Sequence, residues 1–418
     1  MAEARTYHKT HPWIDFQLDL RRVDYTLWFQ LGEVQAKCEQ VAGVPLLPDV
    51  EEHLHQVFLA KGASATTAIE GNTLSEEDVL ELIRGELKLP PSKEYLGKEI
   101  RNIVSACNNI AEGVLSGDLS ELTIDGIKEL NALVLHDLPL KENVVPGRIR
   151  EHEVGVGRYR GAPPQDCKFL LDRLCNWLNN ESFLPDEERR IAYGILKAII
   201  AHLYVAWIHP FGDGNGRTAR LVEFQLLLSC GVPSAAAHLL SNHYNMTREE
   251  YYRQLDISSR SGGEIIPFIK YALQGFVDGL NEQILTIEKH QLEAHWINHV
   301  HEIFRNKVSA TDIRRRQLVV DLSEETEPVP IVQLRYISPR IAEAYAGKTD
   351  RTIRRDVNAL ERMNLINRSN EGVEINRELM SAFLSPVVFR WRTSVSSYYF
   401  SSAAGQKKRR EKIGLSLL

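Results

Sequence analysis

The chain has 418 residues, 43% of them apolar and 25% charged, with a formal net charge of −6. That length exceeds one comfortable hydrophobic core and predicts two or three domains. The acidic balance excludes a chain that coats nucleic acid over its whole surface and leaves room only for a local basic patch.

Between residues 20 and 47, Leu27, Leu31, Val34 and Val41 recur at helical spacing and share one face. A second helix is expected from Pro48, with Pro at its start and Gly71 just past its end. Glu70 then falls in its last turn. In TLSEEDVLELIRGEL, Ser75 and Asp78 stand as a capping box for a third helix. The helical pattern continues through KEIRNIVSACNNIAEGVL and TIDGIKELNALVLHDL. It breaks at ENVVPGRIREHEVGVGRYRGAPPQD, where Val154, Val156 and Tyr159 lie among glycines and charges before Pro163-Pro164. This stretch reads as a short β-hairpin.

DEERRIAYGILKAIIAHLYVAWIHPF is the most apolar helix of the chain, and GRTARLVEFQLLLSCG is the next, ended by Gly231. TREEYYRQLDIS and a long run from Ile265 to Phe304 extend the helical series. Near residue 300 the character changes. SPRIAEAYAGKTDRTIRRDVNALERMNLINRSNEGVEINREL resembles a helix–turn–helix with a wing. Ser338 caps and Pro339 opens its first helix, Gly347 marks the turn, and Thr349 or Asp350 caps the second helix. That helix carries Arg351, Arg354 and Arg355 and offers a surface for DNA, with protein contact as the rival reading. The tail after Ser385 includes the basic run QKKRREK, which reads as a solvated extension.

No apolar run is read as reaching the ~18–20 residues of a membrane span, and the first twenty residues hold no signal-peptide core. No membrane partner is therefore expected. Cys38, Cys107, Cys167, Cys175 and Cys230 are scattered, with no CxxC pair. A reduced, cytoplasmic chain is expected. Cys167 and Cys175 have no nearby His or Cys pair to complete a metal set and read as core thiols.

The stretch IHPFGDGNGRTARLVEF carries the chemistry. The first four N–H groups of a helix have no partner inside it and suit an anion, above all a phosphate. Gly214 and Gly216 allow the backbone to curl so that successive N–H groups face inward as a nest. Arg217 and Arg220 are three apart and leave one face of the first turn. Cations there cost about a few tenths of a kcal/mol unless an anion lies between them. Asp213 is placed to hold Mg²⁺ beside phosphate oxygens, and His209 can take a proton from an incoming hydroxyl. Singly, His209 reads as a helix-end histidine, the arginines as solvated and Phe211 as core. Their joint spacing points to attack of an alcohol on a nucleotide phosphate.

His209 to Arg220 resembles the Fic family motif HPFxDGNGRxxR without departure, and the resemblance extends over roughly residues 20–285. It implies a mainly α fold: a Fic-type helical bundle with a small β-hairpin flap, followed by a C-terminal winged helix domain. The corresponding divisions are an N-terminal helical region over 1–110 with a helix at about 48–70, a catalytic core over 111–290, a helical linker and winged helix–turn–helix over 291–384, and a basic tail over 385–418. The resemblance further implies transfer of AMP from ATP to a Ser, Thr or Tyr hydroxyl of a protein, the chain itself included. His209 would be the base and Asp213 the Mg²⁺ ligand. Gly214, Asn215 and Gly216 would line the anion hole, with Arg217 and Arg220 toward the β- and γ-phosphates. The relative Doc, a kinase, carries Lys where Gly216 stands here, so Gly216 favours nucleotidyl transfer. Other nucleotide donors such as UTP, or phosphocholine, and removal of AMP are also known in the family, and its members often dimerise.

Thr66 to Gly71 resembles the family's inhibitory motif, (S/T)xxxE(G/N), with Glu70 as its acid. A carboxylate at a helix C-terminus faces the negative end of the helix dipole and calls for a cation. In the family that cation is the second motif arginine, here Arg220. Glu153, Val154, Gly155 and Val156 occupy the place of the family's target-docking flap, where an exposed strand edge can align a target segment. Tyr251 and Tyr252 resemble the aromatic position near the adenosine, with core packing as the rival reading. A competing function is a transcription regulator whose core senses nucleotide without turnover.

Overall fold

The structure is a computed structural model. It describes residues 5–44, 48–119, 121–180, 187–376 and 378–379. The basic tail expected over 385–418 lies outside the described residues.

The helices follow from local signals. After the short α1 (Tyr7–Thr10), α2 (Tyr25–Ala42) begins where the Asp24 side chain accepts from the N–H groups of Thr26 and Leu27. Leu27, Leu31, Val34 and Cys38 form its buried face, while Val41 is only partly covered. α3 (Pro48–Ala68) opens on its proline. The chain leaves the helix after Ala68, so Glu70 stands in the turn beyond α3 and not in its last turn. The Glu70 N–H donates to Thr67 O at 3.0 Å, and Gly71 takes φ 105°, a backbone conformation that glycine adopts without strain. α4 (Glu76–Arg84) carries the expected capping box of Ser75 and Asp78.

α5 (Glu94–Ser116) and α6 (Ile124–Val134) follow, then the hairpin of β1 (Gly155–Val156) and β2 (Tyr159–Arg160). The strands are antiparallel, with Gly155 opposite Arg160 and Val156 opposite Tyr159. Glu153 and Val154 lie ahead of the paired residues. Pro163-Pro164 does not only end the hairpin: Pro164 is the first residue of α7 (Pro164–Leu178), a helix the sequence pattern did not reveal. Its apolar residues Cys167, Leu170, Leu171, Leu174 and Leu178 are all buried.

α8 (Arg190–Ile208) is the central helix and packs on α2, α7 and α9 (Asn215–Ser229). Its length and apolarity correct the expectation that no segment reaches a membrane-spanning run. Its best window has a mean hydropathy of 1.7, but 83% of that window is buried within the protein. A helix packed on all sides by other helices is apolar all round for that reason. α10 (Leu239–Met246), α11 (Arg248–Arg260) and α12 (Ile266–Ile303) complete the series.

The chain divides into two compact units, one through Ile284 and one from Leu285. In the first, a single hydrophobic core runs from Tyr7 to Leu280. The boundary expected near residue 110 is therefore not a boundary between cores. The reason is that α3 packs on α9 and α10, and α5 on α6 and α9, so the N-terminal helices bury their apolar faces against the later ones.

The second unit has its own core, including Trp296, Leu318, Ile341, Ile353, Val357 and Leu360. It contains α13 (Ala310–Leu322), α14 (Pro339–Ala344), α15 (Asp350–Arg362) and the antiparallel pair β3 (Ile366–Arg368) and β4 (Val373–Ile375). Ser338 caps α14 as expected, and Gly347 makes the turn with φ 67°. Val329 and Val373 exchange main-chain hydrogen bonds at 2.9 Å each, adding an isolated bridge beside β4. Asp356 of α15, fully buried, accepts from Arg314 Nε, Arg315 Nε and Tyr345 Oη at 2.9, 2.8 and 3.1 Å.

Candidate active site

The site forms where α8 ends and α9 begins. His209 caps α8 in the left-handed conformation, with φ 50° and ψ 58°, and its N–H donates to Val205 O at 2.9 Å. This backbone reverses the chain within one residue. The imidazole is half-buried, and its Nδ1 lies 3.3 Å from Ala206 O. A carbonyl only accepts, so the proton sits on Nδ1 and Nε2 keeps its lone pair. Burial pushes the imidazole down to about 4, against the weaker opposing pull of Glu70 and Asp213. His209 is thus neutral and basic throughout the neutral range.

The turn from Phe211 to Gly214 is locked from within. Asn215 Oδ1 accepts from Phe211 N at 2.9 Å, and Asn215 Nδ2 donates to Phe211 O at 2.8 Å. The Asn215 amide oxygen and one of its two N–H donors are thereby spent on the turn itself. Gly214 has φ 74° and directly precedes α9. The first turn of α9 contains no acidic residue, so its inward N–H groups remain the attractive feature for an anion. Asn131 of α6, fully buried, holds the turn from outside, donating to Asp213 O at 3.0 Å and Thr218 Oγ1 at 3.2 Å.

Both arginines of the stretch are buried and both are paired with acids. Arg220 Nη2 donates to Glu70 Oε1 at 2.6 Å and to Thr66 O at 2.9 Å. Burial alone would raise the Glu70 carboxyl; the Arg220 charge and hydrogen bond bring it below its ordinary value. Arg217 Nη1 donates to Glu99 Oε1 at 3.0 Å, and its Nη2 lies 3.5 Å from Asp213 Oδ1. Three guanidinium donors, Arg217 Nε and Arg220 Nε and Nη1, are buried without an acceptor. Such orphan donors are costly unless an anion meets them.

Glu70 lies against the mouth of α9: a methyl group built on Gly216 would come 2.2 Å from Glu70 Oε1. The acid and a side chain at position 216 cannot share that space. The expected partners His209, Asp213, Gly214, Gly216, Arg217, Arg220 and Glu70 are all brought together here.

Tyr251 is core. Its hydroxyl lies 2.9 Å from His202 Nε2, and its ring stacks on Tyr244 at 4.7 Å. Tyr252 is exposed and reaches the turn that carries Glu70, with its hydroxyl 3.4 Å from Ile69 O. The hairpin residues Glu153, Gly155 and Val156 are exposed. Asp213 is about half exposed at the rim. Among the described residues no group of three or more His, Cys, Asp or Glu forms a metal cluster.

Four residues of the site escaped sequence reasoning: Asn72, Glu99, Asn131 and Arg150. Asn131 carried the clearest signal, a polar residue on the buried face of α6 between Ile127, Leu130 and Val134. Arg150 had none. Its guanidinium donates to His209 O and His152 O at 2.7 Å each, to Ile208 O at 3.4 Å and to Ala162 O. Tyr159 Oη adds a bond to Trp207 O at 2.7 Å. The base of the hairpin is thus tied to the main chain of the His209 turn.

The site is thus an unprotonated imidazole at the end of one helix beside the acid-free first turn of the next, with two buried arginines within it. Residues 121–227 match the sequence model of the Fic/DOC family. Protein adenylyltransferase fic-1 of Caenorhabditis elegans is 32% identical over 206 residues, 49% of this chain and 37% of that protein. Protein adenylyltransferase Fic of Nematostella vectensis is 28% identical over 207 residues, 49% of this chain and 44% of that protein. The chain thus spans less than half the length of these relatives. A solved structure of Fic-1 from C. elegans is similar in fold, with a TM-score of 0.50 and 24% identity over 62% of this chain and 72% of that one.

Proposed function

We propose that this chain is a protein adenylyltransferase that moves AMP from ATP to a Ser, Thr or Tyr hydroxyl of a protein, its own included. The observation that carries this reading is the seating of His209, neutral, with Nε2 free, beside the first turn of α9. Relatives named protein adenylyltransferase support it. The hydroxyl oxygen bonds to the α-phosphorus as the bond from that phosphorus to its bridging oxygen breaks. The hydroxyl proton goes to His209 Nε2, and pyrophosphate leaves. The N–H groups of α9 and the orphan donors of Arg217 and Arg220 meet the phosphate charge. Asp213 is the residue that would hold Mg²⁺, an ion that takes one or two carboxylates plus phosphate oxygens and neutralises their charge. Incubation with α-labelled ATP should place label on protein with the native chain and not with His209→Ala. Nucleotide binding with no label in either case would make the domain a sensor instead.

Glu70 is read as the restraint on this reaction. It takes the Arg220 donor that a γ-phosphate would use and crowds Gly216. Glu70→Gly should raise AMP transfer at least about tenfold, since the ion pair it removes is desolvated. Equal rates would remove the restraint from the account. All five cysteines are free and buried, which suits the cytoplasmic location expected of the chain.

The second unit is read as a winged helix that binds duplex DNA. α15 exposes Arg351, Arg354, Arg355, Asn358 and Arg362 on one face, opposite the buried Ile353, Val357 and Leu360. Among the described residues, Arg351, Arg354 and Arg355 take no acidic partner, whereas Arg335, Arg340 and Arg368 pair with Asp350, Asp321 and Glu361. Arginine and asparagine suit the edges of guanine and adenine in the major groove. Fluorescence anisotropy on duplex oligonucleotides should show salt-dependent binding. Replacing Arg351, Arg354 and Arg355 together with Ala should flatten the log–log salt slope by roughly 2–3. An unchanged slope would overturn the DNA reading.

A further inference from the structure

We infer that Asn72 and Glu99 are positioning residues that give the restraining turn a second anchor on α9, so that one element holds both arginines of the phosphate cup. The inference rests on the reading of Glu70 as a restraint and adds what keeps that restraint in place. Asn72 is buried two residues beyond Glu70. Its Nδ2 donates to Leu96 O at 3.0 Å and to Glu99 Oε2 at 2.9 Å, and its Oδ1 accepts from Leu74 N at 3.1 Å. Both of its donors are spent. The other oxygen of Glu99 accepts from Arg217 Nη1 at 3.0 Å.

A closed ring results. Glu70 and Asn72 sit on one short turn, which the Asn72 N–H closes on Thr67 O at 3.1 Å. Arg217 and Arg220 sit one turn apart on α9. Glu70 reaches Arg220 directly, and Asn72 reaches Arg217 through Glu99. A carboxylate held by one ion pair can swivel away on its own side-chain bonds. A turn fixed at two points cannot, because after one contact opens the second holds the partners at high effective concentration. Glu99 also keeps an Arg217 donor occupied that a β-phosphate would otherwise meet. When the Glu70 carboxylate rotates away from Arg220, the turn therefore stays in place and returns it, and lasting release of the site means displacing the whole turn.

The test is a cycle of four full-length proteins: native, Glu70→Gly, Asn72→Ala and the double variant. Mg-ATP affinity is measured by calorimetry and basal AMP transfer in parallel. Asn72→Ala should tighten Mg-ATP binding by about fivefold or more when Glu70 is present. It should change nothing once Glu70 is replaced by Gly. A merely structural Asn72 would lower the melting temperature and leave affinity the same or weaker in both backgrounds. Glu99→Gln, which keeps the shape and removes the charge, serves as the second variant if Asn72→Ala folds poorly, and should tighten Mg-ATP binding by more when Glu70 is present than once it is Gly, the remainder being the Arg217 donor set free. If Glu70→Gly tightens binding and neither second variant does, the anchor is wrong and the restraint stands. If Glu70→Gly has no effect, the restraint fails and the anchor fails with it.

Discussion

At the scale of single residues, the site is governed by which groups keep or lose their charge. His209 is pushed down to about 4 by burial, so its base form is complete at neutral pH. In the Glu70→Gly protein the pH profile of kcat/KM should stay flat from neutrality down to about pH 5 and fall below it; an acid limb near the ordinary ~6.5 would contradict this seating. Glu70 behaves as a paired carboxylate. Its folded value is depressed, so the ion pair is fully formed above the usual carboxylate range and is lost only as pH falls through the lowered value. Neutral-range pH does not open this ion pair. The residues that make the site were readable where chemistry is carried by spacing: His209, Asp213, the glycines and both arginines. Asn72, Glu99 and Arg150 were not, because each acts on partners far away in sequence, between 59 and 118 residues distant in the case of Arg150–His209 and Glu99–Arg217.

At the scale of elements, the hairpin and the α8–α9 turn behave as one piece. Arg150 is the pin: a buried cation with no ion-paired acid among the described residues, satisfied by four carbonyl oxygens from both segments. Arg150→Met keeps much of the packing but takes the guanidinium donors from those carbonyls, of which Ile208 O keeps the Ala162 N–H. It should lower kcat more than tenfold in the Glu70→Gly background and cost about 2–4 kcal/mol of stability by chemical denaturation. If kcat survives while stability drops, the pin is structural alone. Helix starts were legible where their chemistry is local, as at Ser75 and Ser338. The missed helix α7 shows the opposite case. Pro163-Pro164 carries the same local signal for a loop and for a first helical turn, and only the packing of Leu170 and Leu174 into the core selects the helix.

At the scale of the molecule, two separate cores predict two separate unfolding events. Calorimetry should resolve two transitions. Asp356→Ala leaves Arg314 and Arg315 without their buried acid and should destabilise the second unit alone, by about 3–5 kcal/mol. AMP transfer by the first unit should be unaffected. A single transition shifted as a whole would show that the two units unfold together.

By itself the sequence determined the helical class and the turn that gathers His209, Asp213, Arg217 and Arg220, and it singled out Glu70 as an acid in need of a cation. Those features depend on spacing within one turn or one helix face, which the order of residues states directly. The tertiary structure alone decided that the N-terminal helices share a core with the rest of the first unit, that Tyr251 is packing, and that Glu70 lies against Gly216. It also decided that Glu99 and Asn72 complete the hold on the cup. Burial and long-range pairing depend on which helix faces meet, and no local pattern encodes that meeting.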